Sequence, residues 1–169
     1  QVKKELLSQV TEKDKLKKEF WPLFEDGTCT VGTPDFNLIL ANIPTFEKNI
    51  GKEKLDEFLF SAYSRALSPH LYGNKERQTV SLDELKQQIG KLDLQKKNDL
   101  LSLCDIAGLV AQGDVNQLVS KVEESAATLT GNDLSSMLMA FGAMRDKATR
   151  ADYNRMVAAA EKMMANPAN

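Results

Sequence analysis

The chain has 169 residues, 42% of them apolar and 27% charged, and its 22 basic and 24 acidic side chains leave a formal net charge of −2. A chain of this length buries roughly two thirds of its unfolded surface in one core, so a single helical-repeat domain over 1–169 is the expectation. The near balance of charge excludes a global pull toward phosphate backbones or anionic lipid, and any such binding would need a local patch.

In chain order, residues 1–24 open with the highly charged stretch KKELLSQVTEKDKLKKEF and carry one or two expected helices. Phe20, Trp21 and Phe24 gather around Pro22 at its end. They suit either a cap on the end of a helical stack or an anchor for a partner. The first hairpin is read over 33–69. Thr33 caps it, Pro34 takes the tolerated first helical position and Asp35 adds a favourable first-turn charge. Phe36, Ile39, Leu40 and Ile43 follow at helical spacing as one apolar stripe, which Pro44 stops. After a polar link, Leu55, Phe58, Leu59, Ala62, Ala66 and Leu67 form the facing stripe, ending just before Pro69.

The second hairpin is read over 81–111. Ser81 to Glu84 reads as a capping box ahead of Leu85 and Ile89, Gly90 is placed to end that helix, and another helix runs from about Leu94 to Ala111. The C-terminal helices occupy 114–164. Asp114 caps a stripe of Val115, Leu118, Val119 and Val122. Thr130 opens a helix with Leu134, Met137, Leu138 and Phe141, and Thr149 with Asp152 opens the last, with Tyr153, Met156, Val157 and Ala160. The fold expected is all-α, a stack of antiparallel helical hairpins with about seven or eight helices. An offset of about 49 residues aligns Asp35, Glu84 and Asp133, then Phe36, Leu85 and Leu134, then Leu40, Ile89 and Leu138, then Ile43, Leu92 and Phe141.

Chemistry is sparse. Cys29 and Cys104 do not make a disulfide scaffold and are expected reduced and buried. His70, the only histidine, has no partner with metal-ligand spacing and fits the end of a helix, where an imidazolium meets the last carbonyls. FEDGTCT, from Phe24 to Thr30, resembles half a calcium loop, but Pro22 and Phe24 stand at ligand positions and Thr33 closes the loop where glutamate is needed. Neither standard glycine-rich phosphate cradle is present. No catalytic, cofactor or metal residue is therefore assigned. No apolar run reaches the roughly 18 residues of a membrane span, so the chain is expected soluble, without direct membrane insertion. It begins at Gln1 without a methionine, as after removal of a targeting segment or after trimming.

All six methionines lie from Met137 onward. Those in the stripes are expected to fill core gaps, whereas Met139 and one of Met163 and Met164 fall outside a single stripe and are candidates to face a partner. The partner-binding candidates are therefore Phe20, Trp21, Phe24, Met139, Met163 and Met164.

Asp35-Phe36-Asn37-Leu38-Ile39 resembles the T-Y-N-x-L-I start of a pentatricopeptide repeat, and Asp152-Tyr153-Asn154-Arg155-Met156-Val157 is similar to a second, degenerate instance. That resemblance implies helical hairpins in which Asn37 or Asn154 would read an RNA base, a role that requires a basic groove. The 49-residue offset departs from the shorter period of that family. Over nearly all of its length, beginning with QVKKELLSQVTEKDKLKKEFWPLF, the chain also resembles the eighteen-kilodalton accessory subunits of the mitochondrial ATP synthase of trypanosomes and their euglenozoan relatives. This second resemblance implies a non-catalytic subunit on the matrix side of the inner membrane, held on the outside of the catalytic head by an alpha subunit, with no cofactor and no nucleic acid of its own. An organellar RNA-binding protein of the pentatricopeptide type is the alternative, and a calcium-free light-chain-like adaptor a third.

Overall fold

The computed structural model describes residues 29–128 and 131–165. Among these residues the chain is all-α, without strands: α1 (Pro34–Ala41), α2 (Ile43–Ile50), α3 (Lys52–Leu71), α4 (Leu82–Lys91), α5 (Lys97–Gln112), α6 (Val115–Ser125), α7 (Gly131–Ala143) and α8 (Arg150–Met164), with short 3-10 turns at Lys75–Arg77 and Arg145–Lys147. They group into two compact units, residues 29–66 with 79–100 and residues 67–78 with 101–128 and 131–165.

In the first unit the expected cap forms. The Thr33 Oγ1 accepts the Phe36 N–H at 3.2 Å, and Pro34 sits where its missing N–H costs nothing. Asn42 closes α1, its N–H bonding to the Ile39 carbonyl and its Nδ2 to that of Leu38 at 2.8 Å. Here the structure corrects the sequence reading. The first helix ends at Ala41, before the expected stop at Pro44, and the expected polar link is itself a helix, with Ile43 and Pro44 in its first turn and Phe46, Asn49 and Ile50 buried beneath it. A proline in the first turn leaves no helical hydrogen bond unmade. Gly51, at φ 95°, makes the left-handed turn into α3 that a side chain would resist.

The facing stripes meet through Phe36, while Leu40, Ile43 and Ala66, expected in the same stripes, are only half-buried. Phe36 is fully buried, with its ring centroid 6.0 Å from that of Phe58 and 5.6 Å, edge-on, from that of Tyr63. Leu55, Leu59 and Ala62 are buried beside them. Tyr63, absent from the stripe read from sequence, is among the largest fully buried side chains. Its hydroxyl donates to Gln88 Oε1 on α4 at 3.0 Å, and burial pushes its pKa well above the ordinary tyrosine value. On α4, Leu85 and Ile89 are buried, and the Ser81 Oγ accepts the Glu84 N–H at 3.2 Å. The return half of that capping box is replaced: the Glu84 Oε1 accepts from Gln88 Nε2 at 3.4 Å. Gly90 lies inside α4 rather than ending it, and the helix closes through the Leu92 N–H on the Ile89 carbonyl.

In the second unit, α3 continues past Pro69, where the sequence reading stops it, and buries Leu67, His70 and Leu71. Apolar burial on both sides of the proline outweighs the single helical hydrogen bond it cannot make. Gly113, at φ 68°, ends α5, and the Asp114 N–H reaches back to the Leu109 carbonyl at 3.1 Å. Asp114 then caps α6 by accepting the Gln117 N–H at 3.0 Å. Cys29, in the first unit, and Cys104, in the second, are buried and not joined in a disulfide, as expected. The α6 stripe is as read, with Val115, Leu118, Val119 and Val122 all buried. Helices α6, α7 and α8 each pack against the other two.

The last two helices are rotated from their expected faces. On α7 the buried set is Met137, Ala140 and Phe141, followed by Met144, while Leu138 is exposed. On α8 it is Met156, Ala159 and Met163, while Tyr153 and Val157 are exposed. Alanines at the contacts let backbones approach closely and methionines fill the irregular gaps left over, so larger side chains are displaced to the flank. Burial does not follow the 49-residue offset either: Ile89 is buried, Leu40 is half-buried and Leu138 is exposed.

Candidate functional site

The rotation of α7 and α8 creates a surface. Among the described residues the large apolar side chains left exposed are Tyr72, Leu138, Tyr153, Val157 and Met164, and all of them belong to the second unit. Tyr153 and Val157 are 43% and 55% exposed and stand one turn apart on α8. The Tyr153 ring is held edge-on, 5.0 Å from the Phe141 ring of α7, and Leu138, 45% exposed, lies one turn before Phe141. The ring contact links α7 to α8, with Phe141 buried in the core and Leu138, Tyr153 and Val157 exposed. Tyr72, 52% exposed, meets the half-buried Met139 of α7 through its hydroxyl and the thioether sulfur.

The capping box of α8 fixes where this face begins. The Asp152 N–H donates to Thr149 Oγ1 at 3.2 Å and the Thr149 N–H to Asp152 Oδ2 at 2.9 Å. The Thr149 N–H, and after it the Thr149 side chain, hydrogen-bonds to the Asp152 carboxylate and holds it below its ordinary range. The helix is fixed laterally by Arg155. Its Nε and Nη2 donate to the two carboxylate oxygens of Glu123 on α6, its Nη1 to Asn116 Oδ1 at 2.7 Å and its Nη2 also to Ser120 Oγ at 3.1 Å. The guanidinium hydrogen bond lowers the Glu123 carboxyl from its ordinary value. Tyr153 and Val157, two residues on either side of Arg155, are thereby set at a defined angle to α6.

Of the candidates read from sequence, Phe20, Trp21 and Phe24 lie outside the described residues. Met139 is half-buried against Tyr72, and Met164 is 71% exposed at the end of α8. Met163 is corrected: it is fully buried and has no surface to offer a partner. The terminal pair divides as its spacing requires, since adjacent helical residues point about 100° apart. Sequence reasoning placed Leu138, Tyr153 and Val157 in the core. The signal that finds them is the excess of apolar residues on α7 and α8, more than one stripe accommodates. Asn37 and Asn154, the positions at which a pentatricopeptide protein would read bases, are both exposed.

Among the described residues, no group of three or more His, Cys, Asp or Glu is placed to hold a metal ion, and no helix is long and apolar enough to cross a membrane. His70 is buried in the last turn of α3. The arrangement offers an apolar, aromatic face on a braced helical pair, of the kind that another macromolecule can cover. The chain matches no protein-family model, no curated protein and no solved structure.

Proposed function

We propose that this protein is a non-catalytic accessory subunit of the mitochondrial ATP synthase, docked on the outside of the catalytic head against an alpha subunit, on the matrix side of the inner membrane. The observation that carries the protein-binding part of this reading is the exposure of Leu138, Tyr153 and Val157 on α7 and α8, two helices joined by the Phe141–Tyr153 ring contact. Half-anchored aromatic and branched side chains lose little conformational freedom on binding, which suits them as contact residues. The choice of partner rests on the resemblance of the whole sequence to the euglenozoan accessory subunits.

The test is co-purification from the native source under salt that preserves the complex, with identification of the recovered chains. Recovery of alpha and beta subunits, with no nucleotide retained by the isolated protein, is the expected result. RNA-processing proteins recovered without either subunit would overturn it in favour of the pentatricopeptide reading. A parallel recovery with Trp21→Ala asks whether the Phe20, Trp21 and Phe24 cluster is a second anchor: reduced recovery is expected if it is, and unchanged recovery leaves Trp21 as a structural residue.

A further inference from the structure

A groove of about 720 Å³ lies in the first unit, between the start of α3 and residues 93–96. That volume is in the range that holds a small ligand or a few peptide side chains. Its apolar wall is made by the half-buried ring of Phe60 and the buried Leu94. Its lining carries four carboxylates, from Glu53, Asp56, Glu57 and Asp93, against the two ammonium groups of Lys52 and Lys96, a net of −2.

The two cations are already engaged with the protein itself. Lys52 Nζ donates to the Asp93 carbonyl at 2.9 Å and pairs with the Asp56 carboxylate at 3.6 Å. The ammonium of Lys96 lies 5.4 Å from the centroid of the Phe60 ring. The carboxylates of Glu53, Glu57 and Asp93 have no ion pair among the described residues. Glu53 and Glu57 stand four residues apart on α3, so their like charges repel along one helix face. A phosphate-bearing ligand would meet those carboxylates. A positively charged side chain with an aliphatic stem would satisfy both the rim and the wall, and Lys96 already shows a cation resting on the Phe60 face.

We propose that this groove binds a basic segment of a partner protein, one whose arginine or lysine head meets Glu53, Glu57 and Asp93 while its stem lies on Phe60 and Leu94 in place of Lys96. The guest takes over the aromatic face from the resident lysine, so Lys96 acts as a weak competitor within the site. This site is built from first-unit residues alone and does not depend on the reading given to the α7–α8 face.

The test titrates the full chain into a fluorescein-labelled hexapeptide of sequence Ala-Arg-Leu-Ala-Arg-Ala and follows anisotropy. Saturable binding is expected, and Glu53→Gln with Glu57→Gln weakens it by about tenfold, because charged partners at a binding site set both encounter and retention. Lys96→Ala tightens it severalfold. A control pair in the second unit, Glu76→Gln with Glu124→Gln, leaves it unchanged. All of these positions are exposed, and an unaltered helical circular dichroism spectrum verifies that each variant folds. Absence of peptide binding, equal weakening by the control pair, or no gain from Lys96→Ala would each overturn the proposal.

Discussion

The two compact units treat their apolar side chains differently. In the first, Phe36, Ile39, Phe46, Leu55, Phe58 and Leu59 are buried, and the groove on its surface is rimmed by carboxylates. In the second, α6 buries its stripe completely, but α7 and α8 carry more apolar residues than their contacts cover and leave Leu138, Tyr153 and Val157 in water. A helix with one narrow stripe has one way to pack, whereas a helix with an apolar arc packs by whichever edge allows the closest approach. The remaining edge is then available for a contact outside the unit.

The comparison is broken most severely from the first unit. Phe36→Ala removes a ring with no exposed surface and two aromatic neighbours, and should cost about 3–5 kcal/mol, read as a shift in the chemical denaturation midpoint. In the second unit, Met156→Ala should cost about 2–5 kcal/mol by the same measurement. Full stability in either variant would contradict the burial described.

Smaller losses are expected at a helix cap and at the tyrosine hydroxyl. Thr149→Ala removes one half of the α8 capping box and should cost about 1 kcal/mol. Tyr63→Phe leaves the Gln88 carbonyl oxygen without its hydroxyl donor, at a cost of about 0.5–1.5 kcal/mol, and a larger loss would mean that the ring itself had moved.

The bridge between α6 and α8 should respond to acid. The Glu123 carboxyl titrates below its ordinary value because Arg155 hydrogen-bonds to its ionised form. The stability it contributes is therefore present above the ordinary glutamate range and is lost as the pH falls through the lowered folded value. Asp152 follows the same direction through its bonds with Thr149. Arg155→Met should lower the melting temperature at neutral pH and make a smaller difference in strong acid, where Glu123 is already neutral. An equal difference at both pH values would mean that the guanidinium acts through packing alone.

Much of the fold was legible because it is locally encoded. Thr33, Ser81, Asp114 and Thr149 all cap the helices expected of them, the stripes of α4 and α6 bury the residues their spacing selects, and that of α3 does so except at the half-buried Ala66. What was not legible depends on partners distant in sequence. Pro44 lies in the first turn of α2 rather than at the end of α1, and only the burial of Phe46 and Ile50 reveals the second helix. Tyr63 is a core residue because Gln88 supplies its acceptor. On α7 and α8 the buried faces include Ala140 and Ala159, whose small side chains carry little weight in a hydrophobic pattern read from sequence. The exposed Leu138, Tyr153 and Val157 carry more weight there, which is why they read as core residues in the sequence.

The same surface gives the most direct test. Val157 is 55% exposed, so Val157→Asp should leave the melting temperature nearly unchanged while placing a charge in the centre of the proposed contact. The measurement is the affinity of the full chain for the purified catalytic head, wild type against Val157→Asp, at fixed salt. A loss of at least about tenfold with retained stability is the result predicted from an uncompensated charge buried at an interface. Equal affinity of the two proteins for the head would contradict the assignment of the α7–α8 face as the docking surface.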